Sequence, residues 1–326
     1  MIVLAGDVGG TNARLATVEL TEGAARIVRQ SRYPSAQYPG LGPIVHRFRE
    51  EVVTDLDRAC FGIACSLVGD DCTAPNLPWT INARKLATEI GIPCTGIIND
   101  FVAVGYGIEL LQQSDLELLQ VGVTASRGTI ALIGAGTGLG QGFLVWERDR
   151  YAVQPSEGGH ADFAPSGELQ SGLLQFLGRQ FRRVSWERLL SGPGLVNIYR
   201  YLLASAVAPE TPAVRDEMRQ EDPAVVITRH GLARTDRLSD RTVDLFCEIL
   251  GAQAGNLALT VVATGGVYLA GGIAPVLVER LKSGPFLTAF HNKGRMSELL
   301  SQIPVRVIMN PNVGLRGAAA VAGRMD

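Results

Sequence analysis

The stretch Ile2-Val3-Leu4-Ala5-Gly6-Asp7-Val8-Gly9-Gly10-Thr11-Asn12, followed by the alternating run Ala13 to Leu20, sets a glycine-rich turn between two strand-like segments. The design returns later in the chain. Ile130-Ala131-Leu132-Ile133 leads into Gly134-Ala135-Gly136-Thr137-Gly138-Leu139-Gly140, and Gly142-Phe143-Leu144-Val145-Trp146 follows. Without a Cβ, successive backbone N–H groups can converge on one point, and such a nest suits phosphate oxygens. Two nests in two similar hairpins predict a duplicated fold that grips one polyphosphate from both sides. For either loop alone, an ordinary tight turn is the competing reading.

Context excludes the better-known phosphate loops. Neither stretch reads G-x-G-x-x-G, and each is followed by a strand where a dinucleotide site requires a helix. No G-x-x-x-x-G-K-[ST] occurs, and the HRD and DFG elements of protein kinases are missing. Only the first loop carries an acid, Asp7. One carboxylate beside a phosphate cradle suits Mg²⁺ held through water, since Mg²⁺ keeps most of its own waters. Alternatively, Asp7 caps its own turn.

The chain has 326 residues, 46% of them hydrophobic, enough for two domains with sizeable cores. A net charge of −2 argues against a nucleic-acid or anionic-membrane surface. The lysines are Lys85, Lys282 and Lys293, none in a glycine-rich turn, so no lysine clamp for phosphate is visible. The cysteines (Cys60, Cys65, Cys72, Cys94, Cys247) form no CxxC pair and no zinc spacing, which reads as reduced, mostly buried thiols in a cytoplasmic protein. The short apolar start, broken by Gly6 and Asp7, does not read as a signal peptide. The charge-free stretch Ile249 to Val278 is interrupted by glycines and Pro275, and reads as buried helix, strand, turn and second helix rather than a membrane span.

After the first hairpin come a polar segment, Tyr33 to Gly42, and a helical run, Pro43 to Val53. A strand at Cys60 to Cys65, a loop from Asp70 to Trp79, a helix from Ala83 to Ile90, a buried strand from Thr95 to Ile98 and a helix from Phe101 to Leu111 follow. Beyond the second hairpin, Gly167 to Leu250 is largely helical. Val267 to Ala270 reads as a strand, Pro275 to Lys282 as a helix, Val305 to Met309 as a strand and Leu315 to Ala322 as a small-residue helix. This alternation predicts an α/β protein with mixed sheets.

The polar candidates lie between these elements. Asn99-Asp100 ends a buried strand and opens a helix; either it works as an N-cap or it presents functional groups. Glu157-Gly158-Gly159-His160 occupies a loop of small residues. Glu187 precedes Ser191-Gly192-Pro193-Gly194 and could simply favour the first turn of a short helix. Gly271-Gly272 follows a strand and precedes a helix, an edge where a nucleotide can approach the backbone or an ordinary turn. Together, Asp100, Glu157 and Glu187 make sense around a neutral polyol: ionised carboxylates are acceptors for hydroxyls, and Asn99 supplies both a donor and an acceptor. A phosphorylated or carboxylated acceptor would be repelled.

Gly6-Asp7-Val8-Gly9-Gly10-Thr11-Asn12-Ala13-Arg14-Leu15, Ile98-Asn99-Asp100-Phe101, the loop Gly134 to Gly140, Glu157 to Pro165, Ser191-Gly192-Pro193-Gly194-Leu195, Ala270-Gly271-Gly272-Ile273 and Pro311 to Gly317 together resemble the bacterial ATP-dependent glucokinases. The resemblance runs end to end. It implies an α/β fold of two ribonuclease H-like domains flanking a cleft, as in hexokinase and actin, with a small domain of residues 1–110 plus 311–326 and a large domain of residues 111–310. It implies ATP-dependent phosphorylation of D-glucose to glucose 6-phosphate, the first step of glycolysis, in a cytoplasmic homodimer. By the same resemblance Asp100 is the general base, and Asn99, Asp100, Glu157, His160 and Glu187 hold glucose. Gly6, Asp7, Val8, Gly9, Gly10, Thr11, Thr137, Gly138, Gly271 and Gly272 hold ATP, with Asp7 on Mg²⁺ through water. Asn76-Leu77-Pro78-Trp79 is close to the family's Asn-x-x-Trp loop, a candidate lining of the sugar pocket. No zinc motif of the ROK sugar kinases is present. Three alternatives stay open here: a kinase for fructose, mannose or an N-acetylhexosamine; a sugar-sensing regulator, disfavoured because the phosphate loop begins at Gly6 and leaves no room for a helix-turn-helix; and an ATPase or chaperone of the actin group.

Overall fold

A computed structural model describes residues 1–52, 55–69, 71–73 and 77–325. The chain divides into two compact units. The first comprises Met1–Asp115, Glu147–Pro155 and the described residues from Asn310 onward; the second comprises Leu116–Trp146 and Ser156–Met309.

The first unit is built on β1 (Ile2–Val8), β2 (Asn12–Thr21), β3 (Ala24–Pro34) and β4 (Arg58–Ile63). A small antiparallel sheet of β5 (Ser66–Val68), β6 (Asp71–Thr73) and β7 (Thr80–Asn82) intervenes before β8 (Cys94–Asn99). The main sheet has the order β3-β2-β1-β4-β8. β1 is antiparallel to β2 and parallel to β4, which is parallel to β8. The period of two along β1 sorts its side chains. Leu4 and Val8 enter one core with Leu15, Phe48 and Phe61; Val3 and Ala5 enter another with Ala103, Leu315, Ala318 and Ala322. The second core is made by two helices of small residues, Asp100–Gly107 and Val313–Arg324. A Cβ on Gly317 would strike the Ala103 carbonyl, and one on Gly107 the Val313 carbonyl, so glycine at both positions brings the helices into close contact.

The remaining strands are β9 (Leu116–Gln120), β10 (Ile130–Ala135), β11 (Leu139–Glu147), β12 (Arg150–Ser156), β13 (Gly266–Ala270) and β14 (Val305–Ile308). They form one sheet with the order β12-β11-β10-β13-β14-β9, and all of them but most of β12 and the last residue of β11 fall in the second unit. With β9 and the small β5–β7 sheet set aside, the five remaining strands of each large sheet, numbered in chain order, occur in one spatial order: third, second, first, fourth, fifth. The duplication read from two hairpins therefore extends across both sheets. The helical region is a series of five helices ending in Arg237–Val261, whose charge-free half packs into the core with Phe286 and Phe290 of the helix Pro285–His291. No described helix is long and apolar enough to cross a membrane.

Several expectations need correction. The first helical run is Leu41–Arg49 rather than Pro43 to Val53, and Val53 lies outside the described residues. The helix after Asn99 ends as an α-helix at Gly107 and tightens into a 3-10 turn, Ile108–Leu110. The span Pro275 to Lys282 is two short helices, Ile273–Val276 and Val278–Lys282. The glycine loops are shorter than they look: Gly6, Asp7 and Val8 belong to β1, and Gly134 and Ala135 to β10. Gly6 is a packing glycine, since a Cβ there would strike the Phe61 ring. The cysteines are not all thiols. The hairpin of β5 and β6 turns the chain back so that Cys65 and Cys72, 5.8 Å apart at Cα, form a disulfide. Cys60 and Cys247 are buried thiols, and burial pushes Cys60 up to about 12.

Candidate active site

In both sheets the predicted residues gather at the carboxyl ends of parallel strands, the edge where open α/β sheets bind ligands. In the first unit, β1 ends in the turn Gly9-Gly10-Thr11. The Gly9 N–H donates to Asn12 O at 2.9 Å, while the carbonyls of Gly9 and Thr11 accept from the hydroxyl and the N–H of Ser35, at 2.8 and 3.0 Å. Ser35 is fully buried and fixes the turn. Nothing in the hairpin sequence pointed to it.

Asp7, one register step before the last pair of the hairpin, stands opposite Arg14, and the two side chains form an ion pair. Arg14 also donates to the Pro311 carbonyl at 2.8 Å, and Gly314 lies close to the Asp7 carboxylate. Asp7 therefore does not cap its own turn. Among the described residues no group of three His, Cys, Asp or Glu could enclose a metal. A single, partly exposed carboxylate with an arginine on one oxygen fits a magnesium ion that arrives with phosphate ligands and keeps its waters, and does not fit a protein cage.

At the end of β8, Asn99 is the N-cap of Asp100–Gly107. Its side-chain oxygen accepts from Phe101 N at 2.9 Å and Val102 N at 3.2 Å, and its amide donates to the Cys65 carbonyl at 3.2 Å. The Asn99 oxygen is thus committed to the helix start, and its amide has one further N–H to offer. Asp100 is the first helical residue and accepts from Phe101 N through Oδ1 at 2.8 Å. The capping role falls on Asn99 rather than Asp100.

In the second unit the turn Gly136-Thr137-Gly138 joins β10 to β11, closed by Gly136 N–H donating to Gly138 O at 2.9 Å. The turn Gly271-Gly272 lies alongside, at the end of the neighbouring strand β13; a Cβ on Gly136 would sit 4.0 Å from Gly272 N. Gly271 has φ +81°, and a Cβ on it would strike the Ala135 carbonyl, so glycine is required there. Thr137, Gly271 and Gly272 are exposed.

Three polar residues surround this turn. Glu187 is set in the 3-10 turn Trp186–Arg188, anchored by the buried Trp186 edge-on to Phe163 at 5.1 Å. Its Oε2 accepts from Leu139 N at 2.9 Å, a contact 48 residues distant in sequence. His160 places Nδ1 3.8 Å from Glu187 Oε1 and Nε2 3.7 Å from Glu157 Oε2. Glu157 and His160 flank Gly158-Gly159, and a Cβ on Gly159 would strike the Leu139 carbonyl, so this loop lies directly over the start of β11. Glu157 and His160 are mostly exposed. The segment after Glu187 also reaches the turn, through Gly192 N–H to Gly136 O at 2.9 Å. Of the softer loop assignment, Asn76 lies outside the described residues, and Trp79 is a core residue whose indole N–H donates to Tyr38 O at 3.2 Å.

Comparison with known proteins gives the family. The family model described as Glucokinase matches residues 4–325. A glucokinase of Nostoc punctiforme is 44% identical over 339 residues, covering 99% of each chain. The crystal structure of a glucokinase from an Antarctic psychrotroph superposes with a TM-score of 0.86 at 30% identity, over 99% of both chains. A ROK family glucokinase from Streptomyces griseus, solved with glucose and AMPPNP, shares the fold at a TM-score of 0.67 and 20% identity, over 99% of this chain and 100% of that one. This chain belongs to the glucokinase family.

Proposed function

We propose that this protein transfers the γ-phosphoryl group of ATP to the 6-hydroxyl of D-glucose. The observation that carries the reading is the family match along residues 4–325. In the reaction, glucose O6 attacks the γ-phosphorus, the bond from that phosphorus to the β–γ bridging oxygen breaks, ADP departs, and the O6 proton passes to Asp100. Asn99, Glu157, His160 and Glu187 hold the other hydroxyls. The turns Gly9–Thr11 and Gly136–Gly138 hold phosphate oxygens with their backbone, and Gly271-Gly272 lies under the nucleoside. Gly6, Asp7 and Val8, inside β1, act by setting the first turn and presenting the Asp7 carboxylate. Magnesium, held through water by Asp7, would neutralise charge on the phosphates. Because phosphoryl transfer has a loose transition state, positioning and charge neutralisation supply most of the catalysis.

The two halves are proposed as domains 1–110 plus 311–326 and 111–310, working in a cytoplasmic homodimer whose product enters glycolysis; light scattering reads the oligomeric state directly. A spectrophotometric panel with MgATP tests the central reading. Glucose should give glucose 6-phosphate, with fructose, mannose and N-acetylhexosamines far behind in kcat/KM. ATP consumption independent of any sugar would refute it.

A further inference from the structure

The Glu187 carboxylate has two neighbours of different kinds. Oε2 accepts the backbone N–H of Leu139, the residue that leaves the turn Gly136–Gly138. Oε1 faces His160 at 3.8 Å. The chain around Glu187 reinforces the first contact. Ser191 Oγ donates to the Glu187 carbonyl at 2.7 Å and accepts from Gly194 N at 3.1 Å, and Gly192 N–H donates to Gly136 O at 2.9 Å. The segment from Glu187 to Gly192 therefore grips both ends of the turn, one through a side chain and the other through the backbone.

Gly138 carries the argument further. Its φ lies outside the left-handed region, so its conformation is open to any residue. A Cβ built on Gly138 would come 2.5 Å from Glu187 Oε2 and 3.4 Å from Glu187 Cδ, and would meet no other residue within 4 Å outside its chain neighbours. The absence of a side chain at Gly138 makes room for that carboxylate.

We propose that Glu187 is a positioning residue for the nucleotide turn as well as a sugar ligand, and that Gly138 is glycine for the sake of the sugar site. One carboxylate then ties the two substrates' subsites together. The Leu139 N–H, already satisfied by Glu187, is not a phosphate donor; it fixes the carboxylate so that Oε1 is presented beside His160. This rests on the reading of Glu187 as a glucose ligand.

The test uses isothermal titration of the full-length protein with glucose alone and with MgAMP-PNP alone, on wild type, Gly138→Ala, Glu187→Ala and Glu187→Gln. Gly138→Ala, although it alters the nucleotide turn, weakens glucose more than tenfold in the absence of nucleotide, because the new methyl group can only displace Glu187. Glu187→Ala weakens MgAMP-PNP at least threefold by leaving Leu139 N–H without its acceptor, and Glu187→Gln, whose amide oxygen can accept that N–H, restores it. Both effects are required. If Glu187→Ala loses glucose while Gly138→Ala holds it within threefold, the link is refuted and the sugar-ligand reading stands. If neither variant changes glucose affinity, the sugar-ligand reading fails and the link fails with it. Should Gly138→Ala not fold, the MgAMP-PNP series decides alone: unchanged affinity in Glu187→Ala overturns the proposal.

Discussion

Replacing Asp100 by asparagine separates chemistry from architecture, because of how the start of Asp100–Gly107 is built. Asn99 already caps the helix through two backbone N–H groups, at 2.9 and 3.2 Å. One bond that Asp100 accepts, from Phe101 N at 2.8 Å, can be taken over by an amide oxygen of the same shape. The fold should therefore be almost indifferent, with an unfolding free energy within about 0.5 kcal/mol of wild type, as for substitutions that break no buried feature. Glucose binding should survive as well, since an amide N–H can donate to the sugar oxygen. What the amide cannot do is receive the O6 proton. General-base catalysis contributes about 10²–10⁴-fold, which is roughly 2.7–5.5 kcal/mol of barrier. A coupled assay for glucose 6-phosphate should show kcat reduced by that factor, with the KM for glucose changed less than about threefold. A variant that turns over within threefold of wild type would remove Asp100 from the proton transfer. A variant that melts much earlier would show that the carboxylate serves structure.

Asn99→Ala should lose about 1–3 kcal/mol of stability on urea unfolding through the lost cap and the abandoned Cys65 carbonyl; an unchanged midpoint would contradict the capping geometry. Asp236, buried at the N-cap of Arg237–Val261, accepts from Thr211 Oγ1 at 2.5 Å, Ser239 N at 2.8 Å and Ser239 Oγ at 2.7 Å. Burial alone would raise its pKa, but these hydrogen bonds outweigh it and hold the carboxyl below its usual value. A depressed folded-state pKa contributes stability above the unfolded value of about 3.9 and loses it as pH falls through the folded one. Asp236→Ala should cost about 2–4 kcal/mol at neutral pH and flatten the acid limb of a stability-against-pH curve; a parallel curve would refute the assignment. Arg280 is buried between Asp240 and Asp244, one helical turn apart, at 2.6 Å from each. Arg280→Met leaves the two acids facing each other and should cost about 2–3 kcal/mol in urea unfolding, below the value for a fully buried pair because both carboxylates are partly exposed.

The sequence was most legible where local and tertiary demands agree. Both ends of Ala83–Ile90 are legible because Asn82 caps it through Arg84 N and Lys85 N, and Gly91, at φ +66°, ends it. β3 was hidden because it is the sheet edge: Arg26, Arg29 and Arg32 point outward, Ala25 and Tyr33 are its buried hydrophobics, and the period of two carries almost no apolar signal. Glycine misled in the opposite sense. Gly6 and Gly134 read as turn residues, yet they lie within strands, and the sequence does not reveal the Phe61 ring that presses against Gly6. The polar residue types of the candidate site were recognisable, but their mutual arrangement was not. Glu187 on Leu139 N–H, Ser35 beneath the first turn and the Cys65–Cys72 bridge are tertiary facts with no local periodicity behind them.

The two sheets differ most where a duplicated fold offers a choice. Counting back from each turn, the last register pairs are Val8↔Ala13 and Ala135↔Leu139, two small or apolar pairs of similar role. One step earlier the copies part: the first has Asp7↔Arg14, the second Gly134↔Gly140. One copy places a charge pair at the strand end, and the other places no side chains at all. For a polyphosphate carrying a divalent ion this asymmetry has a physical reason. A carboxylate helps only where the metal lies, since elsewhere it repels phosphate oxygens; bare backbone N–H groups are favourable anywhere along the chain of phosphates. A second acid in place of Gly134 would add repulsion without adding a metal ligand. Neither β10 nor β11 carries an acid at the end that meets the turn. Glu157 and Glu187 arrive on separate segments, and the Glu187 carboxylate reaches the turn only where Gly138 leaves it space.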